Sequence, residues 1–527
     1  MRGVRFHNGR IYTLDRADTV ARALACWQGR IVAVGTDAEV RDRFAGFTEV
    51  DLEGLVVLPA FTDAHLHLVA LGLSRRRVNL EGAGSLREAV LRVAEAVRRA
   101  TPGSWILGRG WEPSRWPEGR LPSREDLDAV SPENPVALWS RDGHLLWCNS
   151  LALAQAGVGP GTPSPPGGVI EREGERPTGV LREAATALVA RAVPPPPDGE
   201  VESAILEAVR DLHRRGITGV HEMAGPAEDR SALAVLQRMH QAGTLRIRVA
   251  MAIPVQRLEE ARRLGLRSGL GDEWLRVGFV KVFADGTLGS QTAAMLEPYE
   301  GQPQNSGVAA YEREELVDLV TRAARAGWSC AVHAIGDRAN RWALDAFEAA
   351  QEVSRRGGLR HRVEHAQLVH PADLPRFGRL RVVASMQPLH CASDEALARQ
   401  YWGARSRYAY AWRSLLRSGA VLAFGSDAPV ESPDVLRSLY VAVFRRHPAG
   451  GQDLPGPEET LSVREALRAY TLGPAYAAGE EHLKGSLEVG KVCDLVALDQ
   501  DILQTPEALP ETRVRMTVLG GEVVFSD

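Results

Sequence analysis

The sequence predicts an α/β protein: a (β/α)8 barrel, a small β-sandwich domain formed from both termini, and a large insertion after the first barrel strand. Three observations predict it. Eight short, apolar, β-branched runs recur from residue 56 onward, most of them followed by a helical pattern, as a parallel sheet buried on both faces requires. The two ends of the chain share a different style, short strands broken by tight turns. Between the first run and the second lie about 150 residues, far more than one crossover helix needs.

The N-terminal segment reads VRFHNGRIYTL, ALACWQGRIVAVG and FTEVDLEGLVVLPAF. Asn8-Gly9 and Gln28-Gly29 fall between apolar runs, where hairpin turns belong. The C-terminal segments GKVCDLVALDQD and TRVRMTVLGGEVVFSD repeat the style, with Gly520-Gly521 as the turn. Residues 1–57 plus 478–527 are therefore expected to form the sandwich, and 58–477 the barrel. The barrel runs are VVLPAFTDAH, GITGVHEM, RIRVAMAIP, RVGFVKVFADG, SCAVHAIGD, HRVEHAQL, RVVASMQP and AVLAFGSDAP. The insertion, 72–200, carries a helix (SLREAVLRVAEAVRRA), a Trp-rich stretch from Trp105 to Trp147 and two Pro/Gly loops; it is expected to cover the mouth of the barrel.

With 527 residues, 44% of them hydrophobic and 25% charged, the chain has ample core, and its net charge of -4 predicts neither nucleic-acid nor membrane-surface binding. The run Arg75-Arg76-Arg77 reads as a solvated face. No apolar stretch is long enough for a membrane span, and the N-terminus lacks a signal pattern, so a cytoplasmic location is the expectation. Five scattered cysteines, with no CxxC pair, argue against a disulfide framework and a thiolate metal site.

Catalytic groups of such barrels gather at the C-terminal ends of the strands. The first run ends in His65-Leu66-His67; the fourth carries Lys281, the fifth His333, the sixth His365 and the eighth Asp427. Residues i and i+2 of a strand share a face, so His65 and His67 can reach one ion, and neutral imidazole suits divalent metals, zinc first. A lone HxH is equally a hydrogen-bonded pair; the other strand-end ligands favour metal. Lys281 sits inside FVKVF, where an ammonium must be paired, with Asp285 or Asp427, deprotonated, or converted by carbon dioxide to a carbamate able to bridge two ions. Asp427 can bind metal and take a proton from a water that the metal acidifies, or else simply cap a turn. For substrate contacts the candidates are Trp111, Trp147 and Ser290, with core packing or a plain turn as the alternatives. Asp337 is expected to cap a helix and is a candidate to orient His333; His221 is a weaker candidate.

The segments PAFTDAHLHL, KVFADGTLGSQTAAMLEPY, VHAIGDRAN, VEHAQL, FGSDAPV and LKGSLEVGKVCDLVALD, in this order over nearly the whole chain, resemble the amidohydrolase superfamily. The insertion's GWEPSRWPEGRLPSREDLDAVSPENPVALWSRDGHLLWCNSLAL is similar to its YtcJ-like branch, which includes N-substituted formamide deformylases. Cys493 stands where such proteins usually carry a small residue. The resemblance implies a TIM barrel with a terminal β-sandwich and metal-dependent hydrolysis of a carbon–nitrogen bond, other than a peptide bond, in a small molecule. It implies His65, His67 and Asp427 around one divalent ion and His333 and His365 around a second, with carboxylated Lys281 between them; one-metal variants also occur. It implies Asp427 as the catalytic proton acceptor and donor, His144 as a catalytic and substrate-binding group, and a homodimer as a compatible assembly. Two other functions compete: a mononuclear-metal deaminase of a nucleobase-like ring, and a non-catalytic barrel scaffold.

Overall fold

The computed structural model describes residues 3–113, 116–141, 145–165, 168–183, 185–223, 229–450 and 453–527. His144 lies outside these residues. The chain divides into two compact units, Met1–Ala70 with Ile205–Asp527, and Leu71–Ala204.

All eight runs form strands in the first unit, in the order of the sequence. They are Phe61–Leu66, Ile217–Glu222, Arg248–Pro254, Leu275–Phe283, Ser329–Ala334, Arg362–His365, Val383–Met386 and Val421–Phe424. Each pairs in parallel with the next, giving a mixed α/β fold around a nearly closed eight-strand barrel. Most of these residues are buried, which explains their continuous apolar character. The Asp337–Ala349 helix, packed against the Arg313–Arg325 helix, buries Ala339, Ala343, Leu344 and Phe347 at helical spacing.

The first and eighth strands meet differently. Among the described residues they share no ladder. Asp427 N–H donates to His65 C=O (2.6 Å) and His67 N–H to Ala428 C=O (2.8 Å). Asp63 ties the same seam: its carboxylate accepts from the N–H groups of His65 and Ser426 (3.1 and 3.0 Å) and from Ser426 Oγ (2.6 Å). Gly425 lies so close that a Cβ there would stand 2.4 Å from His65 N.

Strands from the two chain ends share one six-stranded sheet: Leu495–Leu498 pairs antiparallel with Val56–Pro59 and with Val514–Leu519. Val56–Pro59 is thus a separate strand from Phe61–Leu66, although both lie in one apolar run. A four-stranded sheet joins Val4–His7, Ala23–Trp27, Arg30–Gly35 and Thr48–Asp51. Phe6, Ile11, Leu24, Leu495 and Val518 share a buried cluster that draws on both ends of the chain. The Gln28-Gly29 and Gly520-Gly521 turns do join antiparallel neighbours. Asn8-Gly9 does not: Asn8, at φ 56°, passes the chain from the four-stranded sheet to the six-stranded one. A left-handed step suits both a hairpin and a sheet-to-sheet crossing, so the dipeptide alone does not distinguish them.

The second unit is built on a six-stranded sheet from Val78–Asn79 to Arg176–Glu183 and Gly168–Glu173. Its helix Leu86–Arg99 starts at Ser85, whose hydroxyl caps Glu88 N–H, and buries Leu86, Ala89 and Val93. Trp111, Trp116 and Trp147 pack ring against ring, 5.9–6.3 Å between centroids, in the core of this unit.

Candidate metal centre

His65 is the most constrained of the strand-end groups. It is fully buried, and its Nδ1 lies 2.6 Å from a carboxylate oxygen of Glu364. Glu364 is ionised: burial opposes its charge, but Arg362, followed by His65 and Lys281, holds its carboxyl well below the usual carboxylate range. A carboxylate only accepts, so Nδ1 carries the proton and Nε2 keeps its lone pair. That Nε2 is buried and has no hydrogen-bond partner among the described residues. An acceptor held bare in a protein interior is costly unless a cation takes it.

Asp427 and His365 supply the complement. One ligand atom from each of His65, His365 and Asp427 lies within 4.8 Å of the others, all three side chains being buried. Asp427 Oδ1 is 3.5 Å from His65 Nε2 and 3.2 Å from His67 Nε2. His365 Nδ1 is fixed by Gln387 Oε1 at 2.9 Å, so its Nε2 is also left for a ligand role. Burial pushes the His65 imidazole down to about 4, helped by the Lys281 charge, and holds His365 well below its ordinary value. Burial alone would raise Asp427; the imidazoles of His65, His67 and His365 outweigh it and keep the carboxylate ionised. Neutral imidazoles around an ionised carboxylate form a donor set that fits a divalent cation.

His333, at the end of the fifth strand, turns Nε2 to Gly286 C=O (3.0 Å), and its ring centroid is 4.6 Å from that of His365. Burial, then the Lys281 charge, pushes its imidazole down to about 3. Lys281 is buried, with Nζ 4.9 Å from the Phe283 ring centroid. Burial brings its amine down to about 8, an effect that Glu364 and Asp427 partly offset. It forms no ion pair with Asp285 or Asp427 among the described residues, so the paired-lysine alternative is not what the structure contains. Asp285 instead accepts from the N–H groups of Ala294, Ile335 and Gly336, with His333 Nε2 3.6 Å away.

Two expectations change. Trp111 and Trp147 are fully buried, and their indole N–H groups are spent on the carbonyls of Leu138 and Ser123 (both 2.8 Å); they pack a core rather than face a ligand. Asp337 opens its helix after Gly336 and accepts from Leu296 N–H (2.7 Å), so the carboxylate beside His333 is Asp285. Ser290 lies in the loop after the fourth strand, its hydroxyl 2.9 and 2.6 Å from those of Thr287 and Thr292. His221 is buried, with Nδ1 2.8 Å from Arg362.

Glu364, Asp63 and His390 went unread. Glu364 stands next to His365, and strand alternation would point the two apart. His365 and Ala366 have φ of 72° and 43°, a left-handed step that turns His365 back toward His65. The His-adjacent acid in VEHAQL was the available signal.

The amidohydrolase family model matches residues 48–525. A putative amidohydrolase, YtcJ, of Bacillus subtilis (strain 168) is 30% identical over 99% of this chain and 99% of its own. The N-substituted formamide deformylase of Arthrobacter pascens is 30% identical over 99% of this chain and 98% of its own. The crystal structure of an uncharacterized metal-dependent hydrolase from Pyrococcus horikoshii OT3 superimposes with a TM-score of 0.83 at 30% identity, covering 96% of this chain and 99% of that one. These likenesses run through the barrel and the strand-end ligands together, and the chain belongs to the amidohydrolase family as a YtcJ-like hydrolase that fits a divalent metal.

Proposed function

We propose that this hydrolase cleaves an amide-type, non-peptide carbon–nitrogen bond of a small molecule. The observation that carries the proposal is the buried, bare Nε2 of His65, fixed by Glu364 beside His365 and the ionised Asp427. The N-substituted formamide deformylase among its relatives supports the bond type. Zinc is the metal that the imidazole-rich set favours, as one ion or two. His65, His67 and Asp427 would hold the first; His333 and His365 would hold the second, with Lys281 between them as a carbamate formed from its neutral amine and carbon dioxide. We read the two terminal sheets as one sandwich domain.

A bound divalent ion would polarise the substrate carbonyl and acidify water at neutral pH. The protein does the rest. Asp427 takes the proton of the attacking water and returns it to the nitrogen as the carbon–nitrogen bond breaks. Glu364 keeps Nδ1 of His65 protonated, and Gln387 does the same for His365, so neither imidazole turns its N–H toward the reacting water.

The test is release of amine from a panel of N-formyl and N-acyl amines, cyclic amides, carbamates and esters, with zinc, manganese and cobalt. Metal bound in stoichiometric amount and turnover of a carbon–nitrogen substrate are expected. Asp427→Asn should lower kcat by about 10³-fold, within the range for a lost general base. Metal-free protein after metal-supplemented growth, or a fully active Asp427→Asn variant, overturns the proposal.

A further inference from the structure

His390 is a histidine that the ligand set does not use. It lies in the helix Pro388–Ser393, one turn beyond the seventh strand, and is buried. Its ring stacks on that of His365, 6.0 Å between centroids and 10° between planes. Its Nε2 is 3.8 Å from Asp427 Oδ2 and, among the described residues, has no hydrogen-bond partner. The atom is sealed from solvent yet turned toward the reacting groups.

The tautomer of this ring follows from its neighbours. Gln367 Nε2 lies 3.4 Å from His390 Nδ1 and 3.4 Å from Asp394 Oδ2. Asp394 also accepts from Tyr410 Oη (2.8 Å), and a carboxylate offers no proton in return, so the Gln367 atom facing it is the NH2 group. That group then donates to His390 Nδ1. Gln367 is itself held, because its carbonyl accepts from Tyr410 N–H at 2.7 Å. With Nδ1 accepting, a neutral His390 carries its proton on Nε2. His65 and His365 are set the opposite way: Glu364 and Gln387 accept from their Nδ1 atoms and leave Nε2 bare. One arrangement suits a cation; the other presents an N–H donor beside the same carboxylate.

We propose that His390 is a catalytic residue whose Nε2–H hydrogen-bonds the carbonyl oxygen of the substrate as that oxygen becomes negative. The inference rests on the hydrolytic reading above and adds a group to it. In the addition step the water oxygen bonds to the carbonyl carbon, the C=O π pair moves onto oxygen, and Asp427 takes the water proton. In the collapse the pair returns, the carbon–nitrogen bond breaks, and the Asp427 proton goes to the leaving nitrogen. His390 keeps its proton throughout and stabilises the charged oxygen, an interaction stronger in the transition state than in the bound substrate. Gln367 acts through His390 and is a positioning residue.

The test compares the zinc-loaded wild type with His390→Ala, His390→Gln and Gln367→Leu. Metal content, melting temperature, kcat and KM are measured on whichever carbonyl substrate the wild type turns over best. In parallel, binding of methylphosphonate, a tetrahedral anion, is followed by calorimetry. Loss of one oxyanion donor lowers kcat by about 10²- to 10³-fold, so His390→Ala should show that loss with metal content and KM close to wild type. Methylphosphonate should bind it about tenfold more weakly or worse, because a hydrogen bond to a charged group is gone. His390→Gln, which keeps an N–H, should fall between, and Gln367→Leu should lose less than His390→Ala.

A His390→Ala or His390→Gln protein that keeps wild-type kcat and methylphosphonate affinity overturns the proposal. So does loss of bound zinc from folded His390→Ala, which would make His390 a ligand. If His390→Ala does not fold, His390→Gln and Gln367→Leu decide, through kcat and methylphosphonate affinity. A wild type that binds zinc but hydrolyses no carbonyl compound sinks the hydrolytic reading instead; methylphosphonate affinity then still decides whether Nε2 donates to an oxyanion.

Discussion

Seven of the barrel's eight strand contacts are parallel ladders, and one is a seam. In the ladders, backbone pairing repeats along each strand and apolar side chains fill both faces. At the seam, the first and eighth strands are joined only near their C-terminal ends, by His65 C=O, His67 N–H and the Asp63 carboxylate. Three of the ligand candidates, His65, His67 and Asp427, sit at that join. The molecule therefore places its metal ligands where the barrel closes least regularly, and the residues that close it also aim the ligands. A shift at the seam moves chemistry; a shift in a ladder moves only packing.

Glycines separate the two regions most sharply. Gly425→Ala would push a Cβ against the His65 backbone and should cost about 3 kcal/mol, the upper range for overpacking, together with metal affinity. Gly278, in the fourth strand, has nothing nearer than 3.8 Å to such a Cβ. Gly278→Ala should stabilise by about 0.5 kcal/mol, because alanine loses less freedom in a strand. Urea denaturation of both variants checks the contrast, and equal costs would abolish it.

Asp63→Asn comes next. It keeps the shape but turns an NH2 group toward groups that only donate, so about 2 kcal/mol should be lost, with zinc affinity falling in parallel. Unchanged zinc affinity in a destabilised variant would show that the seam and the ligands are independent.

The smallest effect lies outside the barrel wall. Arg413, in the helix before the eighth strand, grips Glu465, in a helix after it, through two bonds of 2.8 and 2.7 Å. Arg413 depresses the Glu465 carboxyl to about 2 from 4.5. Stability from a depressed acid is complete above its unfolded value and is lost as pH falls toward the folded one. Glu465→Gln should therefore unfold at lower urea than wild type at pH 7, with the gap narrowing between pH 4.5 and 3. A gap of constant width would assign the difference to packing.

The same contrast explains what could be read before folding. The ladder strands were legible because residues buried on both faces leave a dense apolar, β-branched signature, and all eight runs were found. His65, His67, Lys281, His333, His365 and Asp427 stood out as polar groups at the ends of those runs. The groups that aim them were not legible. Glu364 reaches His65 only because His365 and Ala366 break the alternation of the strand. Asp63 looked like an ordinary turn acid, since its partner Ser426 is 363 residues away. His390 gains its meaning from Gln367 and Asp394, contacts set by tertiary packing. Tryptophan misled for the opposite reason: its size suits a pocket wall and a core equally, and here the core won.

The sheet that pairs Leu495–Leu498 with Val56–Pro59 has a consequence for how the protein is made. Translation produces the first metal ligands almost at once and the strand beside them nearly last. While the ribosome is still at work, the nascent chain carries Val56–Pro59 without the partner it has in the finished fold, as an open β-edge directly ahead of His65 and His67. Domains generally mature from the N-terminus as they emerge, but this one must wait for its own tail. Metal capture at the complete site is then a late event, coupled to release of the finished polypeptide rather than to the birth of its first strand.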